Sequence, residues 1–248
     1  MSERMSERMS ERVSAQTNVI PIVALDVSTF DEAAQIVRQL GESCRFYKIG
    51  SELFTATGPQ IVTMVRETGS RVFLDLKFHD IPNTVRKAAA SAARSGASLL
   101  TVHASGGEAM VRAAVDGAAG GCEVFAVTVL TSLDAPALGT AWGREGIDVA
   151  TEVRRLAEIA RAGGASGVVC SGQEAAALKE RFGGALKLLV PGIRLPGSSR
   201  DDQARVVTPA EAARAGTAYV ILGRTVTQAP DPVAAMRTAT QSLADLAV

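Results

Sequence analysis

The sequence predicts an α/β fold, a single (β/α)8 TIM barrel. Eight short apolar runs recur along the chain, and helical segments separate them. Eight strand–helix units in roughly 230 residues match the usual size of such a barrel. Alternating units could also form an open doubly wound sheet, but their number at this length favours closure.

The apolar runs are Val19–Val27, Phe46–Gly50, Val72–Lys77, Leu99–Ala104, Val124–Leu130, Gly167–Cys170, Leu188–Ile193 and Tyr219–Arg224. Most are nearly continuous in apolar residues, as strands buried on both faces should be. Between the first two, Asp31–Leu40 places Ala34, Val37 and Leu40 on one helical face, and Gly41 follows. Asp148 is a cap for Val149–Ala162, where Val149, Val153, Leu156 and Ala160 share a face. Thr208-Pro209-Ala210-Glu211 combines an N-cap, a first-turn proline and a capping-box glutamate, and Gly216 can end that helix. The first strand ends Ala24-Leu25-Asp26-Val27-Ser28, without the GxGxxG of a dinucleotide-binding turn.

Residues 1–12 read MSERMSERMSER, polar and without the apolar stretch of a secretory signal. Residues 1–17 are expected to be a disordered tail, and residues 18–248 one catalytic domain without an internal linker. The 26 basic residues balance the 26 acidic ones, which argues against a nucleic-acid binder. No apolar run reaches the roughly 18 to 20 residues of a membrane helix. Cys44, Cys122 and Cys170 are odd in number and widely spaced, with no CxxC pair. That pattern suits a reducing cytoplasm rather than a disulfide framework or a zinc site.

Active sites of these barrels lie at the C-terminal strand ends. Here those ends carry charge. Asp26 closes the first strand, Lys48 lies in Tyr47-Lys48-Ile49-Gly50, and the third strand runs Phe73-Leu74-Asp75-Leu76-Lys77-Phe78-His79-Asp80. Residues two apart share a strand face, so Asp75 and Lys77 point one way and Leu74 and Leu76 the other. The bland reading is an ion pair sealing the barrel. The functional reading is an alternating cation–anion array with Lys48, with Asp80 just beyond on the loop. Lysine usage favours function: the chain has 21 Arg and only 5 Lys, yet two lysines occupy adjacent strand ends. Lysine can give up a proton near neutrality, which arginine cannot.

The last two strands suggest a phosphate grip. Pro191-Gly192-Ile193-Arg194 leads into a polar loop, Leu195–Gln203, that suits a lid. Gly223-Arg224 ends the eighth strand, and loops after strands seven and eight commonly hold phosphate. Backbone N–H groups and a guanidinium suit a dianion.

Together these segments resemble the orotidine 5′-phosphate decarboxylase family. The matching pieces are Ala24-Leu25-Asp26, YKIG at 47–50, DLKFHDIPNT at 75–84, TVLTS at 128–132, Pro191-Gly192-Ile193-Arg194 with Asp202-Gln203, and Gly223-Arg224. They occur in the family's order and span residues 18 to about 240. DxKxxD alone is shared with a wider group of barrels; the longer string between YKIG and PGIR is far more specific.

The resemblance implies decarboxylation of orotidine 5′-phosphate to uridine 5′-phosphate, without metal or organic cofactor. Asp26 and Lys48 would hold ribose hydroxyls. Lys77 would protonate C6, beside Asp75 at the departing carboxylate. Asp80 would complete the array across a homodimer interface, with Ile81 and Thr84. Thr131 would lie near the pyrimidine, and Arg194, Gln203, Gly223 and Arg224 at the phosphate.

Mg2+-dependent sugar-phosphate decarboxylases and aldolases share DxKxxD, but carry an acidic residue where this chain has Lys48, whose charge repels a metal. A non-catalytic phosphate-binding barrel would need Gly223-Arg224 but not the four charged residues of the array. His79 and His103 lack a clear third ligand and make a weak metal site; His103 is expected to be packed or hydrogen-bonded at the barrel rim. No function attaches to Trp142.

Overall fold

The computed structural model describes residues 19–195 and 207–244. The expected tail, most of the expected lid and Gln203 lie outside the described residues. Eight parallel strands close in sequence order: β1 (Ile20–Leu25), β2 (Phe46–Gly50), β3 (Arg71–Phe78), β4 (Leu99–His103), β5 (Glu123–Val127), β6 (Gly167–Val169), β7 (Lys187–Val190) and β8 (Tyr219–Leu222). β8 pairs with β1, so no strand edge is left open among them. The expected (β/α)8 barrel is therefore the fold.

Helices cover the outside. They are α1 (Phe30–Leu40), α2 (Ser51–Thr57), α3 (Gln60–Glu67), α4 (Pro82–Ser95), α5 (Glu108–Gly117), α6 (Ala135–Trp142), α7 (Val149–Ala162), α8 (Gly172–Phe182), α9 (Pro209–Arg214), α10 (Arg224–Thr227) and α11 (Pro232–Ala244). The sequence signals mark real termini. Thr208 and Glu211 form the expected capping box at α9, and Thr29 and Glu32 form a further one, not expected from the sequence, at α1. The Asp148 carboxylate accepts the Thr151 N–H at 2.9 Å to open α7.

Strand alternation sorts the apolar residues into two cores. Val23, Tyr47, Leu74, Leu100 and Val220 face the helices. Phe46, Phe73, Leu99, Phe125 and Tyr219 belong to a separate cluster inside the barrel. There Tyr219 meets Phe46 and Phe125 edge-on, with ring centroids 6.0 and 5.6 Å apart, an attractive aromatic geometry. The lower interior is thus filled with rings, and the next inward-facing positions form the floor of the site.

Several strands stop one to three residues before their apolar runs do. β5 ends at Val127 although Val129 is also buried, and β7 ends at Val190 although Ile193 is buried. Val129 leaves the ladder to line the cavity, and Ile193 packs in the outer core and bridges Val207, so hydrophobicity continues where regular strand pairing has ended. Trp142 closes α6, packs against the outer core and has the Arg155 guanidinium 5.9 Å above its ring.

Candidate active site

Inward-facing positions just above the aromatic layer carry the charges. On β2, Phe46 faces inward, and Lys48, two residues on, enters the mouth of the barrel. On β3, Phe73 is followed on the same face by Asp75 and Lys77. Leu74 and Leu76 pack outward, as the alternation predicts.

The four charges form a chain. Lys48 Nζ lies 2.8 Å from Asp26 and 3.7 Å from Asp75. Lys77 Nζ lies 2.8 Å from the same Asp75 oxygen, Oδ2. Lys48 is only 9% exposed, and a buried ammonium needs such compensation. Burial pushes the Asp75 carboxyl up. The charges of Lys48 and Lys77 and hydrogen bonds from Lys77 and Thr101 more than offset this, holding Asp75 below the ordinary carboxylate value. Asp75 therefore stays ionised between two cations. Gly50 keeps the place clear: a Cβ there would stand 3.3 Å from Lys48 Nζ and 3.7 Å from Asp26 Oδ1.

β3 is irregular at this point. Leu74 pairs with Leu100 and Phe78 with Val102, so Asp75, Leu76 and Lys77 together oppose Thr101 alone. Lys77 has φ +49°, the one positive φ at a non-glycine residue among the described residues. Such a conformation costs roughly 1 to 3 kcal/mol and persists where surrounding contacts impose it.

The array lines one wall of a cavity of about 510 Å3 at the C-terminal strand ends, a size suited to a small organic ligand. Thr131, beyond β5, is on another wall. Arg194, Gly223 and Arg224, beyond β7 and β8, close a third. Ala24, Phe73, Leu189 and Ile221 contribute apolar surface below. One end of a ligand would meet alternating charges and another would meet cations.

The structure thus unites Asp26, Lys48, Asp75, Lys77, Thr131, Arg194, Gly223 and Arg224. Within one chain it does not bring Asp80, Ile81 or Thr84 into the cavity. All three are exposed on the segment from β3 into α4, and the Asp80 carboxylate accepts the Ile81 N–H at 2.6 Å. Sequence reasoning missed Gln228, which lines the cavity after α10, and Thr101, which supports it from β4. A polar residue inside the apolar run Leu99–Ala104 was the available signal for Thr101.

His79 and His103 lie with ring centroids 5.4 Å apart. Burial, then the charges of His79 and Lys77, lower the His103 pKa despite Asp75. Among the described residues no cluster of three His, Cys, Asp or Glu side chains could hold a metal. None of the described helices is long and apolar enough to cross a membrane.

A family model described as "Orotidine 5'-phosphate decarboxylase / HUMPS family" matches residues 20–239. A protein of Anaeromyxobacter dehalogenans named orotidine 5'-phosphate decarboxylase is 54% identical over 214 residues, 86% of this chain and 93% of that protein. One of the same name from Moorella thermoacetica is 47% identical over 224 residues, 87% of this chain and 88% of that protein. The crystal structure of orotidine 5'-phosphate decarboxylase from Lactobacillus acidophilus superposes with a TM-score of 0.81 at 35% identity, covering 91% of this chain and 99% of that one.

Proposed function

The chain belongs to the orotidine 5'-phosphate decarboxylase / HUMPS family, and on that premise we propose that it is a carboxy-lyase converting orotidine 5′-phosphate to uridine 5′-phosphate and CO2. The observation that carries this reading is the Asp26–Lys48–Asp75–Lys77 chain on one wall of a cavity whose other end holds Arg194 and Arg224.

The chemistry explains the choice of groups. Loss of CO2 breaks the bond between C6 and the carboxyl carbon and leaves the electron pair on C6, in the plane of the ring. No π system is aligned to delocalise it, so fixed charge and a nearby proton must stabilise it. Lys77 supplies both: its ammonium faces the developing carbanion and then transfers a proton to C6, and solvent later returns one to the amine. Asp75 orients that ammonium and lies against the substrate carboxylate. Two unit charges about 4 Å apart repel by roughly 4 kcal/mol at an effective dielectric near 20, and the repulsion falls as neutral CO2 leaves. Carbanion stabilisation has the larger share, because it acts where charge develops. No step requires a metal or an organic cofactor, and the Lys48 ammonium beside Asp75 disfavours a divalent cation there.

Asp26 and Lys48 hold the ribose hydroxyls, and Thr131 borders the pyrimidine. Arg194, Gly223 and Arg224, with Gln203, take the phosphate. Phosphate binding far from the reacting bond can then organise the site. The site is completed in a homodimer, with Asp80, Ile81 and Thr84 reaching the partner's cavity. Ile81 supports this: at 67% it is the most exposed large apolar side chain among the described residues. Cys44, Cys122 and Cys170 form no disulfide with one another, which suits a cytoplasmic enzyme.

The test is incubation of the purified protein with orotidine 5′-phosphate and excess EDTA, following the ultraviolet change from orotate to uracil. Conversion under EDTA that Lys77→Ala abolishes is expected. No conversion, but activity with Mg2+ and a pentulose or hexulose phosphate, would reassign the chain to metal-dependent chemistry. Silence in both would leave a binding barrel.

A further inference from the structure

We propose that Thr101 is a positioning residue for the reaction, its hydroxyl holding both the Asp75 carboxylate and the left-handed backbone of Lys77. The inference rests on the decarboxylase reading above and assigns a role to a residue that touches no substrate.

Thr101 lies in β4 and is fully buried, 0% exposed. The Lys77 N–H donates to its Oγ1 at 3.0 Å, and that hydroxyl donates to Asp75 Oδ1 at 2.9 Å. The directions follow from chemistry: an amide N–H can only donate, and an ionised carboxylate can only accept. The hydroxyl therefore uses its one proton on Asp75 and a lone pair on Lys77.

Both bonds fall at the irregularity of β3. Three residues there oppose Thr101 alone, so the ladder offers the Lys77 N–H no regular partner. The threonine hydroxyl replaces it and tethers the residue with φ +49°. Its bond to Oδ1 also fixes the rotation of the carboxylate, which leaves Oδ2 for both ammonium groups. One buried hydroxyl thus sets the relative position of the proton donor and its counter-charge. Valine has the same shape and could pack there, but it would leave the N–H unpaired and the carboxylate free to turn.

The experiment compares Thr101→Val and Thr101→Ser with the unaltered protein in the orotidine 5′-phosphate assay, measuring kcat and KM separately. Valine should lower kcat by about 10- to 100-fold, the scale of a small misplacement of reacting groups, with KM changed less than about threefold. Serine keeps the hydroxyl and should restore kcat to within about threefold. A valine variant with at least half the normal kcat overturns the proposal. So does a serine variant as slow as valine, which would make the methyl group the important part. If the valine chain does not fold, Thr101→Ala replaces it, with no hydrogen-bonding group at all: normal kcat overturns the proposal, and a fall that serine reverses upholds it. An inactive unaltered protein would instead refute the decarboxylase reading.

Discussion

Lys48 holds its ammonium 3.7 Å from the Asp75 carboxylate on the neighbouring strand, while its other partner, Asp26, lies at 2.8 Å. A single buried cation therefore joins β1, β2 and β3 at the mouth of the barrel. Asp75 in turn serves two cations, so changing it disturbs more than one contact.

Asp75→Asn should lower kcat by about 10²- to 10³-fold, the usual loss when a preorganised charge is removed from a reacting centre. Steady-state turnover of orotidine 5′-phosphate measures it. The folded protein should persist, because asparagine can still accept from Thr101. A variant retaining a tenth or more of normal kcat would contradict the assigned role.

The same carboxylate makes stability depend on pH. Its pKa is lowered in the folded chain from an ordinary 3.8. The unfolded chain binds the proton more readily, so Asp75 stabilises the fold above that ordinary value. The contribution is lost as pH falls through the lower folded value. Melting temperatures of the unaltered protein and Asp75→Asn should differ most near neutrality and converge at the acid end. A gap that widens on acidification would reverse the sign.

The phosphate assignment separates from the chemistry by choice of substrate. Arg224→Ala should lose roughly 100-fold or more in kcat/KM on orotidine 5′-phosphate, as expected for removing a charged partner of a bound anion. On orotidine, which lacks the phosphate, the variant and the unaltered protein should be equally slow. Equal losses on both would move Arg224 from ligand binding to general structure.

The dimer proposal predicts complementation. Lys77→Ala and Asp80→Asn should each be inactive alone. After mixing and refolding, half the dimers are mixed, and each mixed dimer has one intact site if Asp80 crosses a twofold interface. Activity should recover to about a quarter of normal. No recovery from a mixture shown to contain mixed dimers would keep Asp80 in its own chain's site or outside any site.

Much of the fold was legible because it rests on local periodicities. The apolar runs marked eight strands, and Asp148 and Thr208 mark helix starts through bonds to residues three positions on. The inward direction of Asp75 followed from the two-residue repeat that sends Leu74 and Leu76 to the helices. Strand ends were less legible, because Val129 is buried as cavity wall and Ile193 in the outer core, both beyond the regular strands.

The sequence by itself determined the barrel, the inward direction of Lys48 and Asp75, and the opposition between an alternating charge array and an arginine end. These depend on residue type and short-range spacing. Only the tertiary structure decided that one Asp75 oxygen serves both lysines and that β3 carries Lys77 at φ +49°. It also placed Thr101 against both Asp75 and Lys77. The contacts of Thr101 with Lys77 and Asp75, and of Lys48 with Asp75, join residues 24 to 27 positions apart in the chain, and barrel closure and strand register bring them together. No local pattern encodes a hydrogen bond between neighbouring strands until their register is set.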